Sequence, residues 1–300
     1  MRKIDSTTRL AKDLVDVLTV DRIDKDMYKS RRISDELTIG TGRLFGGLLV
    51  AQAFAAAQAT VPTERPPVSL HCRFLRPGDE GKPVRYCVSR DMDGGSFSHR
   101  RIVADQGGQP ILTFSAAFQR LEEGFNHQAL MPEVESSPEH LWEAMEARLR
   151  SGEDMPVGIA NYVIGTLPIQ VAPVEPAILD DPVPRDDAFM VWIRFPLPLG
   201  EDPLRHRIIM TYLTDLVPLR PVDRRHGRCP FKGEIIEASL DHSIWFHEEV
   251  RADEWMLFVA ESSWAGRGRG LGRAHVFARS GQMVASISQE GIARPPAKQS

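Results

Sequence analysis

The sequence predicts an α+β fold in which a buried helix followed by an antiparallel meander occurs twice. Three observations carry this. Residues 68–75 (VSLHCRFL) alternate apolar and polar side chains as a half-buried strand does, and residues 238–247 (ASLDHSIWFH) echo them. An offset of 170 residues that superposes Ser239 on Ser69 also carries Leu240 onto Leu70 and Gln289 onto Gln119. In each half a helical stretch comes first and regularly spaced strands follow, the order expected of an α+β unit repeated in one chain.

The elements follow in order. Residues 9–20 repeat apolar positions at helical spacing, and a short polar run reaches about Ser34. Residues 43–60 (RLFGGLLVAQAFAAAQAT) form the strongest predicted helix: Gly46 and Gly47 allow a tight entry, six alanines supply propensity, and Pro62 forces a stop. With no charge after Arg43, this helix should be buried nearly all round, covered by a sheet. Strands are predicted at 68–75, 83–91, 96–105 and 110–119, separated by the turn sequences PGD, DGG and QGGQ. In the second half a helix over 204–217 stops at Pro218, and strands are expected at 234–247, 254–262, 269–279 and 282–291. The chain thus divides into an N-terminal repeat (1–120), a proline-rich crossover (121–190) and a C-terminal repeat (191–300). The crossover holds one helix near 139–150 and the acidic residues Asp180, Asp181, Asp186 and Asp187.

Composition narrows the function classes. Hydrophobic residues are 42% and charged residues 26%, enough for a sizeable core, and the net charge of −4 argues against a nucleic-acid binder. No apolar run approaches membrane-spanning length, and the charged start lacks the apolar middle of a signal peptide, so no membrane partner and a soluble, intracellular protein are expected. Cys72, Cys87 and Cys229 make neither a disulfide frame nor a zinc motif, and His71, His99, His127 and His247 lack metal-ligand spacing, so no metal is expected.

Six signatures, in order along almost the whole chain, resemble the type II acyl-CoA thioesterases. They are FGG with the Ala-rich helix (45–60), H-x-x-FLRPGD (71–79), SFSHRR (96–101), SLDHSIWFH (239–247), RADEWMLF (251–258) and SQEG (288–291). The resemblance implies a double hotdog, in which two central helices are wrapped by curved antiparallel sheets joined edge to edge. It implies hydrolysis of acyl-CoA to fatty acid and CoA, with no cofactor, and a water-activating triad that falls on Asp215, Ser239 and Gln289. The edge strands and open sheet faces of such a fold invite a homo-oligomer. The tail PPAKQS lacks a peroxisomal S-K-L ending, so the cytoplasm is the expected compartment.

A thioester is already electrophilic, so hydrolysis needs an oriented water, a base and donors for the oxyanion, and no covalent nucleophile. Asp215 is expected in the last turn of its helix, where the dipole and partial burial raise its pKa; Ser239 and Gln289 each offer a donor and an acceptor. Superposing the Val-Pro pairs 61–62 and 217–218 sets Asp215 on Ala59, so the first half lacks the acid and one active site per chain is expected. Asp241 and His242, adjacent on a strand, point to opposite faces and are read as shaping the site. Arg267 and Arg269, in GRGRG, belong either to a mobile hairpin or to a site for CoA phosphates. The N–H groups of Gly46 and Gly47 either receive an anion or carbonyl oxygen or mark tight packing. Leu48 replaces the Gln that often follows FGG. The competing readings are a hotdog enoyl-CoA hydratase and a non-catalytic acyl-CoA-binding module. An α/β-hydrolase is disfavoured, because no G-x-S-x-G elbow occurs.

Overall fold

A computed structural model describes residues 2–34, 37–38, 42–151, 168–175 and 183–296. Helix α1 (Arg2–Leu18) leads through a ribbon, β1 (Val20–Asp24) and β2 (Met27–Ser30), to helix α2 (Gly46–Gln58). Every residue of α2 from Gly47 to Gln58 is buried, because strands cover it on one side and two other helices, α1 and the one at Pro203–Thr214, pack on it as well. The meander β3 (Pro67–Phe74), β4 (Arg85–Asp93), β5 (Phe97–Gln106) and β6 (Gln109–Gln119) packs around it together with β1 and β2.

The second half runs through α3 (Pro138–Arg150), β7 (Gln170–Pro173), β8 (Phe189–Arg194), α4 (Pro203–Thr214) and the short α5 (Arg220–Arg225). It ends in β9 (Ile236–Ser239), β10 (Asp241–Phe246), β11 (Met256–Gly266), β12 (Arg269–Ala278) and β13 (Met283–Arg294). These strands form one antiparallel sheet in the order β1-β2-β4-β5-β6-β3-β10-β13-β12-β11-β8-β7, with β9 added to β13. Outward from the β3–β10 seam the two halves repeat the same order, which is the double hotdog. At the seam Leu70 pairs with Ile244, and both are fully buried.

Several elements differ from the sequence expectation. β1 (VDRID) is almost wholly exposed and carries no alternation to betray it. Its counterpart by position in the sheet, β7, lies within the stretch read as crossover, and β8, the counterpart of β2, reaches into it; Asp180 and Asp181 lie outside the described residues. The strand expected over 234–247 breaks at Leu240, whose N–H donates to Glu290 O while its carbonyl accepts from Phe74 N–H. The helix expected to reach residue 217 stops at Thr214, leaving Asp215 as its C-cap, and Ala59 caps α2 in the same way. The offset of 170 does not survive as a structural equivalence for glutamine. Gln289 lies six residues past the first paired residue of β13, Met283, and Gln119 ten past that of β6, Gln109. Gln289 is buried and Gln119 is not.

Two signature motifs prove architectural. Arg100 of SFSHRR, 1% exposed, donates to Thr60 Oγ1, the carbonyls of Thr60, Met92 and His99, and Asp93. Asp253 of RADEWMLF accepts from Leu199 N–H and so latches the approach to α4.

Candidate active site

The corner between α4 and α5 is pressed onto the sheet by glycines. A Cβ on Gly272 would lie 1.6 Å from Pro218 O, one on Gly270 2.4 Å from Val222, and one on Gly291 2.5 Å from Leu219. No side chain fits between, so the corner rides on β12 and β13 and carries Asp215 down to Gln289. The end of α4 also abuts the start of α2. A Cβ on Gly46 would lie 2.7 Å from Asp215 Oδ2, and one on Gly47 2.5 Å from Tyr212 O.

Asp215 therefore sits between opposite helix poles. The C-terminus of α4 disfavours its charge; the N-terminus of α2 favours it, and Gly47 N–H donates to the carboxylate. Gln289 Nε2 donates to Asp215 Oδ1 at 2.8 Å and to Ser239 Oγ at 2.6 Å, and Ser239 Oγ stands 3.5 Å from Oδ1. Gln289 is 1% exposed, whereas Asp215 and Ser239 keep part of their surface open. Burial pushes the Asp215 carboxyl up to about 6, against the hydrogen bonds from Gln289, Gly47 and Ser239 and the charge of Arg220.

His242 holds this group from behind. Because both amide protons of Gln289 point at Asp215 and Ser239, its Oε1 must accept, and His242 Nδ1 lies 3.0 Å from it. The imidazole therefore carries its proton on Nδ1, and its Nε2 lies 2.9 Å from Thr214 Oγ1, whose hydroxyl also reaches the Thr211 carbonyl at 2.7 Å. Burial pushes His242 down to about 4, so it is a neutral hydrogen-bond relay and not a cation. Cys72, paired with His242 across the seam, is buried and its thiol is pushed up, which leaves no thiolate nucleophile here.

The other residues singled out from the sequence separate from this group. Asp241 lies on the opposite face of the strand, lining an open groove with His71, Arg73 and Arg101, and accepts from Glu290 N–H. Arg269 pairs with Glu290 at 3.5 Å and lies over Trp264; Arg267 is exposed at the hairpin tip with a φ of 54°. Neither arginine reaches the carboxylate of Asp215. Gly46 and Gly47 do meet it, and the packing reason for two glycines holds as well. Beside them lies a cavity of about 20 Å³ lined by Leu14, Val17, Ile33, Leu44, Leu48 and Tyr212 together with Glu80, and the Leu at the usual Gln position adds to its apolar wall. Among the described residues no cluster of His, Cys, Asp and Glu could hold a metal ion.

Sequence reasoning missed Thr214, Gly272 and Gly291. A glycine at alternate strand positions, Gly270 and Gly272, was the available signal for a close backbone approach.

Comparisons with known proteins agree with this architecture. A family model described as the acyl-CoA thioesterase N-terminal domain matches residues 33–119, and one described as the acyl-CoA thioesterase C-terminal domain matches residues 138–293. The chain is 34% identical over 286 residues to acyl-coenzyme A thioesterase 8 of Homo sapiens, covering 93% of this chain and 88% of that protein. It is 29% identical over 290 residues to acyl-CoA thioesterase 2 of Haemophilus influenzae, covering 94% and 97%. The crystal structure of acyl-CoA thioesterase II TesB2 from Mycobacterium marinum superposes with a TM-score of 0.76 at 30% identity, over 95% of this chain and 100% of that one.

Proposed function

Since this chain belongs to the acyl-CoA thioesterase family and is a thioester hydrolase, we propose that it cleaves fatty acyl-CoA by direct attack of a water held by Asp215, Ser239 and Gln289. Asp215 takes a proton as the water oxygen bonds to the carbonyl carbon. The C–S bond then breaks, and the proton passes from Asp215 to the leaving CoA thiolate. Free fatty acid and CoA are the products. With the Gly47 N–H donated to Asp215, the N–H of Gly46 at the positive pole of α2 is the donor that faces the developing oxyanion.

The observation that carries this reading is the amide of Gln289, whose two protons tie the one raised carboxyl of the site to the Ser239 hydroxyl. A base with a pKa of about 6 is ionised at neutral pH and still basic enough to accept a proton from water. Two measurements test it. Asp215→Asn should lower kcat for thiol release, across a ladder of acyl-CoA lengths, by roughly a hundredfold or more; near-normal turnover removes Asp215 from the mechanism. In the parent enzyme kcat/KM should fall below about pH 6, where Asp215 takes up its proton. His242, already neutral at that pH, should add no second inflection near it.

A further inference from the structure

Next to this group lie two carboxyls and a guanidinium that the chemistry above does not use. Arg220 opens α5; its Nη1 is 3.1 Å from Asp223 Oδ2 and its Nη2 pairs with Glu237 Oε2. The side chains of Asp223 and Glu237 are only 4% and 16% exposed. Beyond those ion pairs, the oxygens of Asp223 and the Oε1 of Glu237 are buried with no donor but each other, through a side-chain hydrogen bond between the two carboxyls. One guanidinium thus serves two buried carboxyls. Burial pushes Asp223 well up, Glu237 adds to the shift and Arg220 opposes it, so the pair keeps a proton near neutrality and the trio balances as one cation with one anion.

Its position gives the cluster a task. Among the described residues β9 pairs with β13 alone, Glu237 opposite Ala293 and Ser239 opposite Gly291, and no strand flanks its other side. Glu237 and Ser239, two apart on one strand, project to the same face. Arg220 belongs to the corner that begins at Asp215. Its ion pairs are therefore a tie between the segment that carries the base and the strand that carries the hydroxyl.

We propose that Arg220 is a positioning residue: by bridging Asp223 and Glu237 it holds the Ser239 strand against the corner bearing Asp215, and so keeps hydroxyl and carboxylate in register. The proposal rests on Asp215 being the base. Arg220 also favours the ionised form of Asp215. The other titratable groups acting on Asp215 or on its hydrogen-bond partner are Tyr212 of α4, Cys72 of β3 and His242 of β10, all kept neutral by burial. Arg224, on the next turn, pairs with Asp187. Arg220 is the cation whose removal should move the pH profile.

The test compares Arg220→Met, Arg220→Lys and Glu237→Gln with Asp215→Asn, recording kcat, KM, the pH dependence of kcat/KM, and thermal melting. Arg220→Met should lower kcat about tenfold with KM within about twofold, and move the acid limb up by about half a unit. Arg220→Lys should return the limb to the parent position while kcat stays depressed, because the ammonium keeps the charge and loses the fork. Glu237→Gln cuts the ion pair to β9 while Asp223, relieved of its carboxyl neighbour, supplies the one anion that balances Arg220, so kcat should fall severalfold with the limb unmoved; it serves even where Arg220→Met does not fold. Folded Arg220→Met with parent kcat and an unmoved limb, or folded Glu237→Gln with parent kcat, would overturn the proposal, as would a lowered melting temperature as the sole change. Turnover surviving in Asp215→Asn overturns the base and the tie together. Turnover lost there but intact in Arg220→Met overturns the tie alone.

Discussion

His242 and Asp241 are neighbours with opposite duties. The first faces inward and donates to Gln289 Oε1, fixing which way the amide turns; the second faces an open groove on the other side of the sheet. Replacing His242 by Leu leaves Oε1 buried without a donor and frees the amide to rotate away from Asp215. The loss should be about 2 kcal/mol, roughly thirtyfold in kcat with little change in KM. Asp241→Asn should retain most of the turnover. Steady-state kinetics on the pair checks both, and equal losses would show that the two faces of the strand act together. The opposite orientation of adjacent strand residues is legible in the sequence. Which of the two faces the carboxylate is not, because it depends on how β10 is paired with β3 and β13.

At the level of elements, the site exists because a corner lies flat on a glycine floor. Gly272→Ala would put a Cβ 1.6 Å from Pro218 O, so the corner must lift. A displacement of about 1 Å at Asp215 should cost roughly a hundredfold in kcat, beside a destabilisation of about 3 kcal/mol. Activity measured well below the melting temperature separates the two effects; parent kcat in a folded Gly272→Ala variant would show that the corner has room. The sequence displays these glycines only as GRGRG and its continuation, which reads equally as a hairpin or an anion loop. Their actual neighbour, Pro218, is more than fifty residues away in the chain. Similarly, the Ala-rich run makes α2 plain, while β1 escapes, since an exposed edge has no hydrophobic face to give it a period.

Across the whole molecule, the two halves share one sheet and one site. The first contributes Gly46, Gly47 and Cys72; the second contributes Asp215, Ser239, His242 and Gln289. Ile244→Ala at the seam, opposite the equally buried Leu70, should cost about 3 kcal/mol. Because the sheet is continuous, calorimetry should show a single transition moved to lower temperature, with activity lost over the same interval. Two separated transitions would mean that the halves fold independently. Asp215, Ser239 and Gln289 could be named in the chain only through the family resemblance, whereas the repeat, the buried helix and the meander order were open to reading there, since periodicity and turn chemistry are local properties. The tie through Arg220, the relay through His242 and the glycine floor were not. Each is a contact between segments brought together by the sheet, and no local spacing encodes the distance between atoms that meet only when the chain has closed on itself.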